Sequence, residues 1–202
     1  PEKMYQTWVT YYTEDLKRAL YQPELADRIG GLDAFDFLNR CFGEVEDADF
    51  LNTVMRTDLL SFLPHNLLAY TDRMGMAHSL EIRVPYTDHK LIELMASVPS
   101  YEKVKWLDTK HMFKKAVQDI VPEKILKRKK MGFNPPMALW LKEDLEELVN
   151  DCLSKTAVRK RGYFVYGQIE QMLILHRNGT RDFSLHIWAL IVLEMWHRLY
   201  ID

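Results

Sequence analysis

Apolar residues recur at three- and four-residue spacing along most of the chain, the rhythm of one-sided helices. Val, Ile and Thr rarely alternate with polar neighbours, so no strand is predicted. The pattern predicts an all-α fold, a single helical domain of about ten helices. Thr13 caps a short helix to Leu20, and Pro23 opens the next, which Gly30-Gly31 ends. A third runs from Asp33 to Cys41, with Gly43 as the stop. Phe50–Phe62 reads as a helix with Phe50, Leu51, Val54, Met55, Leu59 and Phe62 on its apolar side, and the acidic residues before it suit its dipole. Pro64 restarts the chain as a helix to His78. Val84-Pro85 enforces an extended bend, and Thr87 or Asp88 caps the helix Lys90–Ser97. Asp108 or Thr109 caps Lys110–Val121, Pro122 opens a helical turn, and Pro135-Pro136 opens MALWL, followed by EDLEELVNDCL. Tyr166–Arg177 ends at Asn178-Gly179, and Ser184–Tyr200, apolar on most faces, is the expected centre of the fold.

The stretch Leu67–Asp88 stands out against this pattern. It reads as largely interior, yet it carries Asp72, Arg73, Glu81 and Arg83. Carboxylates and guanidinium groups are rarely buried unless they pair or bind a ligand. Two readings are open: an internal ion-pair network that fixes the fold, or the wall of a binding site.

Composition narrows the classes. The chain has 202 residues, 48% hydrophobic and 28% charged, with a formal net charge of −2. That balance is globular and gives no bulk electrostatic case for nucleic acid or membrane. Two cysteines, Cys41 and Cys152, far apart in helical contexts, are no disulfide framework and fit a reducing cytoplasm. Ile187–Val192, the longest apolar run, is too short to span a bilayer. Pro1 suggests a chain cut from something longer.

Lys127-Arg128-Lys129-Lys130 precedes Met131-Gly132-Phe133. A basic run of this kind is a solvated surface, a nucleic-acid patch or a phosphate-binding loop. Cations just past a helix end can neutralise charge developing on a polyphosphate, and the glycine permits a loop that closes. Gly30-Gly31-Leu32-Asp33 imitates a nucleotide loop, but no strand precedes it, so a helix-ending turn is expected. The seven histidines show no zinc spacing, and no metal site is expected. Trp188, Trp196 and Tyr200 in the last helix read as core.

Two long segments resemble one family. FLPHNLLAYTDRMGMAHSLEIRVPYTDHKLIEL is similar to the signature of the asparagine synthase domain, in which Leu-Pro is followed by Asp-Arg-x-Ser-Met-Ala-x-Ser-Leu-Glu-x-Arg-x-Pro-Phe-x-Asp. The residues that match are Leu63, Pro64, Asp72, Arg73, Met76, Ala77, Ser79, Leu80, Glu81, Arg83, Pro85 and Asp88. Gly75 stands where Ser is usual, and Tyr86 where Phe is usual. TKHMFKKAV resembles the family's Lys-x-x-Leu-Arg-x-Ala helix. VPEKILKRKKMGFNPPMALWL resembles its Pro-x-x-Ile-x-x-Arg-x-Lys-x-Gly-Phe-x-x-Pro-x-x-x-Trp segment through Pro122, Ile125, Arg128, Lys130, Gly132, Phe133, Pro136 and Trp140.

The resemblance implies the helical C-terminal part, residues 1–202, of an adenine nucleotide α-hydrolase-like (PP-loop) synthetase domain, with the nucleotide loop and the glutaminase domain outside these residues. It implies the reaction of the glutamine-hydrolysing members of that family: ATP and Mg²⁺ are used to adenylate the aspartate β-carboxylate, and ammonia from glutamine attacks the β-aspartyl-AMP. The expected partners are those small molecules and the missing N-terminal domains, with no nucleic acid and no membrane. An apolar face left by those domains also makes a homodimer an open expectation. Lys130 matches the lysine that contacts pyrophosphate, with Arg128 supporting its loop, while Lys127 and Lys129 are read as solvated. Asp72 and Arg73 are expected to line the acyl-adenylate pocket. Glu81 and Arg83 either contact the nucleotide or form a buried pair bracing the Val84-Pro85 bend, and Asp88 is read mainly as a cap. Two alternatives remain open: a relative acting on another carboxylate, such as one that closes β-lactam rings, and a helical module that only binds a partner.

Overall fold

The computed structural model describes residues 2–43, 48–129, 132 and 135–202, leaving Glu2's side chain aside. It is all-α: among the described residues there is no strand, only isolated bridges at Tyr21–Phe164 and Lys105–Asp108. The helices are α1 (Glu2–Val9), α2 (Glu14–Leu20), α3 (Pro23–Ile29), α4 (Asp36–Gly43), α5 (Phe50–Leu60), α6 (Ala69–Met76), α7 (His89–Ser97), α8 (Ser100–Lys103), α9 (His111–Ala116), α10 (Glu123–Leu126), α11 (Met137–Trp140), α12 (Glu146–Cys152), α13 (Lys155–Arg161), α14 (Tyr166–Arg177) and α15 (Ser184–Tyr200). The predicted elements do not include α1, α8 or α13, and α8 is a single turn, too short to show a period. Among the described residues no helix is long and apolar enough to cross a membrane. The chain clusters into two compact units, one of residues 1–5 and 34–130, the other of 6–33 and 131–202.

The first unit is built on α4 to α10. Asp49 caps α5, accepting from the N–H groups of Leu51 at 3.0 Å and Asn52 at 3.1 Å. The Asn52 N–H leads in holding its carboxyl below the usual range. The acidic residues expected to assist the dipole at 44, 46 and 47 lie outside the described residues. The buried side of α5 matches the predicted apolar one only in part: Leu51, Val54 and Leu59 are half-buried, but Phe50, Met55 and Phe62 are exposed and the fully buried residue is Thr57. Thr57 and Ser61 can be buried because each hydroxyl donates to the carbonyl four residues back, to Thr53 at 2.9 Å and Thr57 at 2.6 Å. Tyr5 packs on Phe42 and donates to Asp58 at 2.6 Å. Burial first, then that carboxylate, pushes the Tyr5 phenol up to about 12.

Pro64 does not restart the chain. α5 runs into a π-helical turn, Leu63–Leu68, which leads directly into α6. In an α-helix the Pro64 ring would strike the carbonyl four residues earlier, and a wider turn relieves that clash. The predicted cap of α9 also fails. Asp108 instead pairs with His111 Nδ1 at 2.8 Å and with Lys114, and the helix is shorter than predicted, His111–Ala116 behind a left-handed Lys110.

The second unit holds a continuous core. Leu20, Leu141, Val149, Cys152, Ile169, Ile187 and Ile191 are all at most 2% exposed. Thr13 caps α2 by accepting from Leu16 N–H, and Gly179 at φ +73 follows α14, both as predicted. α13 escapes the pattern, although Ser154 caps it and Gly162 at φ +70 ends it. α15 contacts α11, α12 and α14 and buries Ile187, Leu190 and Ile191. Trp196 and Tyr200 are nevertheless 47% and 73% exposed, so they are not core. On the same helix Glu194 is buried between Arg161 and Arg198. Cys152 in this unit and Cys41 in the first are free and buried.

Candidate functional site at the end of helix α6

Asp72 and Arg73 lie in the middle of α6, and Glu81 and Arg83 lie in the segment that follows it, all within the first unit. The end of α6 is a tight reversal. Arg73 O accepts from Ala77 N–H at 3.0 Å, and Gly75 O accepts from His78 N–H at 2.9 Å and Leu80 N–H at 3.0 Å. Ser79 makes the turn in the left-handed region at φ 57. The chain then runs without helix to Val84, whose φ −120 and ψ 82 lie outside the helical region that a residue before proline avoids. A 3-10 turn, Pro85–Thr87, is closed by Thr87 N–H and Oγ1 donating to Val84 O at 3.0 and 2.8 Å. Asp88 caps α7, accepting from Lys90 N–H at 2.9 Å and Leu91 N–H at 3.3 Å. Tyr86 meets the edge of Phe113 from α9, with ring centroids 5.5 Å apart.

This stretch is not interior. Asp72, Arg73, Glu81 and Arg83 are all exposed, as are Met74, Met76, Leu80, Ile82, Val84 and Tyr86. Gly75 alone between Asp72 and Pro85 is buried. The apolar residues that imply burial in the sequence form a surface here. Glu81 and Arg83 do pair, Arg83 Nε to Glu81 Oε1 at 2.9 Å, but with side chains 70% and 84% exposed. An open pair of this kind adds little stability. The buried brace expected for them is therefore not formed in this chain.

The second motif lies farther along. Pro122 precedes α10, Lys127 pairs with Glu123 one turn back, and Arg128 N–H donates to Ile125 O at 3.2 Å. Lys127, Arg128 and Lys129 are exposed. Lys130, the principal catalytic candidate, lies outside the described residues, as do Met131 and Phe133.

One cluster was missed from sequence. Asp108, His111 and Lys114 form a charged triad at the start of α9, and hydrogen bonds from Lys114 and then His111 hold the Asp108 carboxyl below its usual range. The Asp-x-x-His-x-x-Lys spacing was its only signal. Just before it, Trp106 and Leu107 are 94% and 98% exposed, with Trp106 at φ 55. Among the described residues no group of three or more His, Cys, Asp or Glu is placed to hold a metal ion.

The comparisons with known proteins agree with the motifs. Residues 2–198 match the family described as asparagine synthase. Asparagine synthetase [glutamine-hydrolyzing] 1 of Bacillus subtilis (strain 168) is 30% identical over 194 residues, covering 95% of this chain and 29% of that protein. Asparagine synthetase [glutamine-hydrolyzing] 3 of the same organism is 45% identical over 68 residues, 34% of this chain and 11% of that protein. Amidase chyE of Penicillium rubens (strain ATCC 28089 / DSM 1075 / NRRL 1951 / Wisconsin 54-1255) is 27% identical over 168 residues, 79% of this chain and 23% of that protein. The chain thus spans less than a third of the length of these curated relatives. No solved structure matches. With the family match running over 2–198 and both motifs inside it, the chain belongs to the asparagine synthase family.

Proposed function

We propose that the chain is the helical C-terminal part of an ATP-dependent, glutamine-hydrolysing ligase. The whole enzyme would convert aspartate, ATP and glutamine to asparagine, AMP, pyrophosphate and glutamate through β-aspartyl-AMP. The observation that carries the reading is the run from Asp72 to Asp88, with its charges held on the surface, inside a family match over nearly the whole chain. The donor set suits a nucleotide. Arg73 and Arg83 present guanidinium groups from one short stretch, and a guanidinium fork matches phosphate oxygens. Glu81 binds Arg83 through Nε and leaves its terminal nitrogens without a partner among the described residues.

ATP supplies the adenylyl group, and Mg²⁺ would arrive on its phosphates. Asp72 and Arg73 line the acyl-adenylate pocket in this reading. Lys130 stabilises the negative charge that gathers as pyrophosphate leaves, and Arg128 supports its loop. Positioned cations supply most of the catalysis in this kind of transfer, since the protein does little covalent chemistry. The nucleotide loop and the glutaminase domain would come from the rest of the protein, and the free Cys41 and Cys152 support a cytoplasmic location. The 202-residue chain alone is expected to be inactive and to bind Mg·ATP weakly, which calorimetry can test.

The deciding experiment is Lys130→Ala in the full-length enzyme. Synthesis should be lost while glutamine hydrolysis continues; synthesis near the wild-type rate would show the assigned role to be wrong. The match to proteins named as amidases favours a second reading with a different acceptor carboxylate. Assaying the full-length enzyme with aspartate and glutamine, scored by AMP release, separates the two.

A further inference from the structure

Gly75 is buried within α6, where its backbone is helical and needs no glycine for its φ angle. Glycine weakens a helix interior, so its presence calls for a packing reason. The reason is visible on the side facing the reversal. A Cβ built on Gly75 would stand 2.8 Å from Leu80 O, 3.0 Å from Ile82 Cδ1 and 3.2 Å from Ile82 Cγ1. Ile82 could swing aside, but Leu80 O is backbone and can move only if the whole segment moves. That segment is also tied to Gly75 from the other direction, since Gly75 O accepts from both His78 N–H and Leu80 N–H. The helix and the returning strand of chain are therefore in backbone contact at a point where no side chain fits. Glu81 follows Leu80 directly, and Arg83 is bonded to Glu81.

We propose that Gly75 is the positioning residue of this site: its missing side chain lets Leu80–Ile82 close onto α6 and thereby fixes where Glu81 and Arg83 stand. This rests on the reading above in which those two residues face the nucleotide. The family pattern carries Ser at this position, so the departure in this chain permits a closer approach than a serine would. The residue acts through its neighbours and touches no substrate.

The test uses the full-length enzyme with Gly75→Ala and Gly75→Ser. Both Gly75 variants should lower kcat/KM for ATP in synthesis by roughly 10- to 100-fold, mostly through KM, because a displacement near 1 Å costs about that much. Glutamine hydrolysis should be unchanged. Amide exchange at Leu80, whose N–H is bonded to Gly75 O, should quicken in both Gly75 variants. That exchange reports the geometry even if the enzyme turns out not to use ATP, which is the separate failure of the functional reading. If the Gly75 variants do not fold, Ile82→Phe crowds the same gap from the loop side and should raise the ATP KM in the same way. An unchanged ATP KM in a folded Gly75 variant, or in Ile82→Phe, overturns the proposal, as does unchanged exchange at Leu80.

Discussion

Arg161 reaches across from α13 to Glu194 on α15, with Nε donating to Oε2 at 2.7 Å and Nη2 to Oε1 at 3.3 Å. Arg198 donates to the same carboxylate at 2.8 Å, and Arg161 also holds Asp202 through two bonds of 2.7 Å. Burial works to raise the Glu194 carboxyl, and the hydrogen bonds from Arg161 and Arg198 outweigh it and keep it low. Glu194→Ala leaves two guanidinium groups facing each other without their shared anion. It should destabilise the chain by roughly 2–4 kcal/mol, read from urea denaturation. A change below roughly 0.5 kcal/mol would show that water replaces the carboxylate without cost.

The core around Ile169 makes the complementary case. Its side chain is fully buried among residues of α12, α14 and α15. Ile169→Ala removes apolar atoms and leaves a cavity, at a cost of roughly 2–5 kcal/mol. Calorimetric unfolding of the variant checks this, and a loss under 1 kcal/mol would mean that the site collapses around the smaller residue.

These two sites differ in how far sequence reveals them. Ile169 sits on the three–four rhythm of α14, so its burial is legible from spacing alone. Glu194 is a charge in an apolar helix, and the Arg161 that explains it is far away in sequence, on a helix the pattern does not reveal. The same division runs through the first unit. The caps Asp49 and Asp88 and the Val84-Pro85 bend are legible because they are local chemistry. The burial of α5 is not: Thr57 wins over Phe50 and Met55 because its hydroxyl is satisfied within its own helix. Pro64 misleads because a π-turn offers the chain a way past a proline. For the candidate site, motif spacing identifies Asp72, Arg73, Glu81 and Arg83 but not their exposure, and the contact at Gly75 depends on a reversal that no local pattern specifies.

His176 gives the protein an acid-sensitive point. It is 3% exposed, and its Nδ1 accepts the Phe183 N–H at 3.2 Å, which requires that nitrogen to be unprotonated. Burial first, then Lys142, pushes its pKa below the usual histidine value, against the opposing pull of Asp182 and the Ala138 backbone. The unfolded chain therefore binds more protons than the folded one as pH falls through the ordinary histidine range. Stability is full above about pH 6.5 and declines below it. Denaturation midpoints at about pH 7.5 and about pH 5.5 should show the decline, and His176→Gln should flatten it. An equal slope in the variant would assign the effect to other groups.

Asp49 offers a smaller test. Its carboxylate satisfies two backbone N–H groups at the start of α5 and bonds the Asn52 amide at 2.8 Å. Asp49→Ala should cost about 1 kcal/mol, while Asp49→Asn, which keeps an acceptor, should cost a few tenths. Equal losses in the two variants would point to charge rather than capping.

Glu81 and Arg83 decide between structure and binding. If their pair supports the fold, removing either partner should destabilise the chain. If they face a ligand, stability should hold while function falls. Their exposure, 70% and 84%, already argues that the pair contributes under about 1 kcal/mol. Glu81→Ala and Arg83→Ala should therefore leave the denaturation midpoint of the chain almost unchanged. In the full-length enzyme the same substitutions should reduce synthesis by on the order of ten-fold or more, with Arg83→Lys recovering only part, because an ammonium cannot bind phosphate oxygens as a fork. A lowered midpoint with unimpaired synthesis would return the pair to a purely structural role.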